Sequence, residues 1–143
     1  MNFKIKQGTV CGFLGPNGAG KSTTMNMITG YLAPSDGTAL ICGIDMMKEP
    51  EKAKRHIGYL PEIPALYPEM TVREYLDFTA ALKRFPKRGR RGLVDDAIEK
   101  TYLGAMQNRL IGSLSKGYRQ RVGVANAILG MPEVIILDEP TVG

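Results

Sequence analysis

An α/β fold with a mostly parallel sheet is predicted by three stretches of this sequence. Near the start, Gly15-Pro16-Asn17-Gly18-Ala19-Gly20-Lys21-Ser22 fits G-x-x-x-x-G-K-[ST] at every fixed position, between an apolar run and a helix-compatible segment. At the end, Val134-Ile135-Ile136-Leu137 is an unbroken apolar run, the pattern of a parallel strand buried on both faces, and it leads directly into Asp138 and Glu139. Between them, Leu114-Ser115-Lys116-Gly117-Tyr118 opens a helix-forming run that extends to Leu129.

The first stretch needs its residue types for a mechanical reason. Glycines let the backbone curl so that its N–H groups converge as an anion-binding nest, and the helix that follows adds the positive end of its dipole. Lys21 would reach the outer phosphates of a nucleotide, and the Ser22 hydroxyl, with Thr23 beside it, would meet a Mg²⁺ ion. The local context agrees. Thr9 to Leu14 (T-V-C-G-F-L) reads as a buried strand, and Lys21 to Ile28 reads as a helix that Gly30 stops.

Two carboxylates placed directly after a buried strand are costly unless a cation or a reaction uses them. The carboxyl end of a parallel strand is also where ligands collect in open α/β sheets. Asp138 is therefore the candidate to hold Mg²⁺, directly or through water, and Glu139 the candidate to polarise an attacking water. The bland alternative is that both acids cap the next turn. Ser115 and Gly117 offer a hydroxyl and an unhindered backbone N–H at a helix N-terminus, a combination suited to an anion, with a plain N-cap role for Ser115 as the bland alternative.

Leu114-Ser115-Lys116-Gly117-Tyr118-Arg119-Gln120-Arg121 resembles the signature of ATP-binding-cassette (ABC) ATPases, and Leu137-Asp138-Glu139-Pro140-Thr141-Val142-Gly143 resembles their second carboxylate motif. Ile57-Gly58-Tyr59-Leu60-Pro61-Glu62 sits where that family has its glutamine loop, so the resemblance covers nearly the whole chain. With Leu66-Tyr67-Pro68-Glu69-Met70-Thr71-Val72, the motif variants are similar to ATPase subunits of bacterial ABC-2-type exporters, including those resembling gliding-motility transporters.

The resemblance implies a phosphate-loop NTPase of the ABC type: a mostly parallel core with an inserted helical subdomain. Residues 1–62 and 131–143 would form the ATP-binding core, and about 63–130 the helical subdomain. It implies ATP and Mg²⁺ as ligands. Gly15, Pro16, Asn17, Gly18, Ala19, Gly20, Lys21, Ser22 and Thr23 would bind the nucleotide, Lys21 and Glu139 would be catalytic, and Ser22, Glu62 and Asp138 would face the metal. Ser115 and Gly117 would hold the γ-phosphate of a second ATPase subunit in a head-to-tail homo- or heterodimer. The remaining partner would be an ABC-2-type membrane permease, contacted through Ile63-Pro64-Ala65-Leu66-Tyr67-Pro68. No nucleic acid is expected. The subunit would be cytoplasmic, held on the inner face of the cell membrane through the permease. Other classes stay open: a nucleotide-binding module that does not hydrolyse, or a cassette protein acting on ribosomes or DNA.

The chain also departs from the family pattern. Glu62 stands where Gln is usual and adds negative charge beside phosphates, while Lys116 replaces a common glycine. The family's switch histidine lies beyond the second carboxylate and its adenine-stacking aromatic upstream of Phe3, so an incomplete cassette, truncated at both ends, is expected. His56 is read as a solvated or helix-end residue and Phe3 as core.

Composition bounds the rest. With 43% hydrophobic residues in 143, one domain with a substantial core is expected. No run approaches 18 apolar residues, so membrane association would come through a partner. Cys11 and Cys42 lie in separate apolar runs and read as buried free thiols. The excess cations, net +5, concentrate in Lys83-Arg84-Phe85-Pro86-Lys87-Arg88-Gly89-Arg90-Arg91, read as a solvated loop between helices that could meet anionic lipid or nucleic acid. Strands are expected near 9–14, 38–42, 57–60 and 134–138, and helices near 21–30, 50–56, 71–84, 94–107 and 118–130. Val72, Tyr75, Leu76, Phe78, Thr79 and Leu82 form one apolar stripe, and Leu93, Ala97, Ile98, Tyr102 and Leu103 another.

Overall fold

The computed structural model describes residues 2–16 and 18–139. The chain divides into two compact units, Met1–Lys54 and Arg55–Gly143. In the first, helix α1 (Lys21–Ile28) follows the Gly-rich loop, and strands β1 (Leu40–Ile41) and β2 (Ile44–Asp45) pair antiparallel before helix α2 (Pro50–Lys54). Cys42 and Gly43 join the two strands with φ of 50° and 81°, the two left-handed residues that match a tight hairpin to strand twist. Ile41, Met46 and Ala53 are its buried apolar side chains.

The second unit holds strand β3 (Ile57–Leu60), helices α3 (Val72–Leu82), α4 (Lys87–Lys100) and α5 (Lys116–Ile128), and strand β4 (Val134–Leu137). β3 and β4 are parallel, in a register that sets Ile57 opposite Val134 and Leu60 opposite Leu137. Helix α5 packs against β3 and β4, and α3, α4 and α5 pack on one another. Their apolar faces meet in one cluster built on Val72, Leu76, Val94, Ile98, Val122 and Leu129. α3 starts where its sequence says it should. The Thr71 hydroxyl accepts from the Glu74 N–H while the Glu74 carboxylate accepts from the Thr71 N–H, a reciprocal cap.

Several expectations change. Residues 9–14 form no strand; Val10 and Leu14 are exposed, because a lone extended segment without a ladder partner covers neither its backbone nor its side chains. Phe3 is 50% exposed and leans on Phe13, ring centroids 6.0 Å apart, so it is not a core residue. Both thiols are exposed: Cys11 lies in that unpaired segment, and Cys42 in the hairpin turn. β4 is buried on one side only. Ile136 faces inward, whereas Ile135 and Leu137 are exposed, since α5 covers a single face of the two-stranded sheet.

Leu82 and Tyr102 drop out of their stripes. Both are exposed, Leu82 on the last turn of α3 and Tyr102 in a left-handed conformation (φ 55°) just past α4, which turns its ring outward. The basic segment is only partly a loop. Helical backbone is interrupted at Arg88 and Gly89, after which Arg90 and Arg91 enter the regular part of α4. That helix stops at Lys100 rather than near 107, and a short 3₁₀ turn, Gly104–Met106, takes the remaining residues.

Candidate functional site

In the first unit the Gly-rich loop closes on itself. The Lys21 ammonium donates to the carbonyls of Gly15 at 2.5 Å and Pro16 at 2.9 Å, and the Ala19 N–H donates to the Pro16 carbonyl at 3.1 Å. An ammonium has three donors, so one remains for a ligand in the mouth of the loop. Gly18 and Gly20 take φ of 81° and 83°, where a side chain would be strained. Gly20 is also the N-cap of α1. Having no side chain, it leaves the first N–H groups of the helix uncapped, and no acid sits in the first turn to neutralise the dipole. Ser22 and Thr23 are exposed on that turn, and the Thr24 hydroxyl donates back to the Gly20 carbonyl at 2.9 Å. A polyanionic ligand fits this loop, because an ammonium and uncapped helix N–H groups meet there and the first turn of α1 carries no acid. Asn17 lies outside the described residues.

In the second unit the parallel register decides what the carboxylates share. Leu60 pairs with Leu137, and the ladder runs one step further, with the Asp138 N–H donating to the Leu60 carbonyl at 2.9 Å. Pro61-Glu62 and Asp138-Glu139 therefore leave the same edge of the β3–β4 pair. Asp138 is half-buried, while Glu62 and Glu139 are exposed. Glu139 has φ of 46°, a left-handed conformation that is uncommon for a residue with a side chain and turns the chain sharply after β4. Among the described residues no three His, Cys, Asp or Glu side chains cluster as a ready-made metal site. Glu62 and Asp138 are oxygen donors of the kind Mg²⁺ takes, and that ion ordinarily keeps waters and substrate oxygens among its ligands.

Ser115 is the N-cap of α5: its hydroxyl accepts from the Tyr118 N–H at 3.3 Å. Gly117 is exposed, and a Cβ there would meet nothing within 4 Å, so its backbone stays open to a ligand. Lys116 points to solvent on the first turn. Two supports were not foreseen. The Arg119 Nε donates to the Leu114 carbonyl at 2.9 Å and braces the residue before Ser115, while Gly58 lets α5 approach β3 closely. The glycine inside I-G-Y-L carried the signal for the second, since an interior strand glycine marks close backbone approach.

Neighbouring residues take structural roles. His56 lies just past α2 and faces the Glu133 carboxylate at 3.0 Å. The Glu133 carboxyl is held below its ordinary range, first by its own backbone N–H and then by His56. Tyr75 is buried and donates to the Ala65 carbonyl at 3.1 Å, and burial, with Tyr67 nearby, pushes its hydroxyl up to about 12. This anchors the 63–68 loop from below. Ile63 and Tyr67 are exposed on it, but Leu66 packs into the helical core.

The sequence profile of the ABC transporter family matches residues 1–142. The chain belongs to the ABC transporter family. It is similar to the bacitracin transport ATP-binding protein BcrA of Bacillus licheniformis, 39% identical over 143 residues, all of this chain and 46% of that protein. Among solved structures, cbiO1 from Clostridium perfringens, part of the cbiONQ ABC transporter complex, superposes with a TM-score of 0.86 at 33% identity, over 100% of this chain and 59% of that one. The dimeric bacterial cassette MJ0796 also gives 0.86, at 30% identity over 98% of this chain and 64% of that one. These neighbours make the fold that of an ABC ATPase cassette, an α/β phosphate-loop architecture. This chain spans about half or less of BcrA and of the multidrug relative YbhF. Among its described residues no helix is long and apolar enough to cross a membrane.

Proposed function

We propose that this ABC cassette binds ATP with Mg²⁺, hydrolyses it, and energises an ABC-2-type membrane exporter. The observation that carries the reading is the Lys21 ammonium held over the Gly-rich loop at an uncapped helix N-terminus. Gly15 to Thr23 would bind the phosphates, and Ser22, Asp138 and Glu62 would hold the Mg²⁺, which when bound neutralises charge on the transferring phosphoryl group. Glu139, exposed in a left-handed conformation at the end of β4, would orient and deprotonate the attacking water.

Ser115 and Gly117 would close on the γ-phosphate of a second copy or paralogue, a reading supported by the exposed N-terminus of α5 and by the dimeric state named for MJ0796. Residues 1–62 and 131–143 would act as the ATP-binding core and 63–130 as the helical subdomain. The exposed Ile63 and Tyr67 would meet the permease at the inner face of the membrane. Ile63→Asp with ATP hydrolysis intact and transport unchanged would remove that contact from the proposal.

The test uses a fluorescent ATP analogue and steady-state phosphate release on the complete protein. Lys21→Ala is expected to weaken nucleotide binding about 100-fold. Glu139→Gln should bind normally yet release phosphate at least about 100 times more slowly. Unimpaired hydrolysis by Glu139→Gln would refute its role as base, and unchanged binding by Lys21→Ala would refute the site.

A further inference from the structure

The six cations between Lys83 and Arg91 exceed the net charge of the whole chain, +5, so the remainder of the protein is slightly acidic and the positive charge is a local feature. Three of the six are already engaged. The Lys83 ammonium donates to the Asn126 carbonyl at 2.7 Å, an Arg90 N–H donates to the Phe85 carbonyl at 2.8 Å, and Arg91 lies 4.0 Å from Asp95. The last of these is weak, because Asp95 also accepts from Arg73 at 2.6 Å and the Arg91 side chain is 91% exposed.

Arg84, Lys87 and Arg88 have neither an ion pair nor a side-chain hydrogen bond among the described residues, and all three are exposed. The backbone holds them in a turn instead of along a helix face. Arg84 has φ of 61°, Pro86 precedes α4, and helical geometry is interrupted at Arg88 and Gly89. Beside them Leu82 is 64% exposed, an apolar side chain on the last turn of α3.

We propose that this turn is a lipid-contacting surface that docks on an anionic bilayer, with Arg84, Lys87, Arg88 and Arg91 on the headgroups and Leu82 reaching toward the acyl boundary. An unneutralised cation cluster flanking an exposed aliphatic side chain matches what an anionic interface recognises: long-range attraction to phosphates, then local apolar burial. Nucleic acid fits less well. Single strands are gripped by stacking on exposed aromatics, and the one aromatic here, Phe85, is partly buried against Gly130, where a Cβ would come within 2.1 Å of its ring. The contact would act in addition to any attachment through a permease, and it does not depend on ATP turnover.

The test is vesicle co-sedimentation of the complete chain, with phosphatidylcholine vesicles carrying about 30% phosphatidylglycerol and with phosphatidylcholine alone, at about 50 and about 300 mM salt. The expected result is binding to the anionic vesicles only, lost at the higher salt, and weakened about tenfold or more by the triple variant Arg84→Gln, Lys87→Gln, Arg88→Gln. A control triple variant, Lys4→Gln, Lys6→Gln, Lys48→Gln, carries the same charge change elsewhere and should lose less than about twofold. Leu82→Gln should weaken the residual binding in intermediate salt. Circular dichroism confirms that each variant is folded. Equal binding to both vesicle types, equal loss in the two triple variants, or preferential binding of a single-stranded oligonucleotide over the anionic vesicles would each overturn the proposal.

Discussion

Gly58→Ala is the most discriminating single change for the packing of the second unit. Gly58 sits in the middle of β3, buried under α5, and a Cβ built there would lie 1.8 Å from the Ala127 carbonyl oxygen and 2.8 Å from both the Ala127 carbonyl carbon and Pro132 Cγ. Ordinary contacts of such an atom begin near 3.4 Å, so the helix must lift from the strand by roughly 1.5 Å. Ala127 contributes backbone here, which no rotamer change can move aside. Overpacking of this kind costs typically 1–3 kcal/mol, and the rigid neighbour puts the expected loss at about 3 kcal/mol. For a chain of this size that lowers Tm by about 10 °C. Far-UV circular dichroism during urea and thermal unfolding reads it directly. Gly12→Ala is the internal control, since a Cβ there meets nothing within 4 Å, and it should stay within about 0.5 kcal/mol of the parent. Gly123→Ala separates hard from soft obstruction. Its Cβ would meet side chains only, Leu60 Cδ1 at 2.6 Å and the Pro64 ring at 3.0 Å, and a gain of about 0.5–1 kcal/mol in helix propensity offsets part of that strain. If Gly58→Ala unfolds within about 0.5 kcal/mol of the parent, the close approach of α5 to β3 is refuted.

Gly130→Ala meets two penalties at once, a φ of 81° and the Phe85 ring at 2.1 Å, and should lose about 3 kcal/mol in urea unfolding. Adding Phe85→Leu should recover part of the loss, and strict additivity in that double-mutant cycle would argue against the contact. Thr71→Ala removes the reciprocal cap of α3 and should cost about 1 kcal/mol. Hydrogen bonds from the Thr71 N–H and side chain hold the Glu74 carboxyl below its ordinary 4.5, so its stabilisation is present above that pH and is lost as pH falls through the lowered folded value. The stability difference between the parent and Glu74→Gln should therefore be constant from neutral pH down to about 5 and shrink below that, and a difference that grew on acidification would reverse the assignment.

Local chemistry was legible wherever a few adjacent residues suffice. The Gly-rich loop and its helix, the cap at Ser115, and the β3 and β4 runs all appear where their residues place them, because each is set by backbone sterics, caps or short apolar runs. Readings that needed a distant partner fared worse. T-V-C-G-F-L is apolar enough for a buried strand, but a strand forms only beside another one, and this segment is exposed together with Cys11. Leu82 and Tyr102 fit helical stripes by spacing, yet a stripe is core only as far as the facing element reaches, and both lie at helix ends beyond that reach. The roles of Lys21, Ser22, Glu62, Asp138, Glu139, Ser115 and Gly117 in turnover rest on the experiments above.

By itself the sequence determined the family and the chemical inventory: an ammonium and glycines at a helix start, two acids after an apolar strand, and a serine capping a second helix. These are short-range facts, because a motif works through the backbone conformations that its own residues permit. Only the tertiary structure decided which faces are covered and which charges stay unpaired. It set Leu60 opposite Leu137, so that Glu62, Asp138 and Glu139 leave one edge, drew Leu66 inward while Ile63 stayed exposed, and left Arg84, Lys87 and Arg88 without an ion pair among the described residues while Lys83 and Arg90 were tied to backbone carbonyls. Register, burial and ion pairing join residues far apart in the chain, and their energies depend on distances that no local pattern encodes.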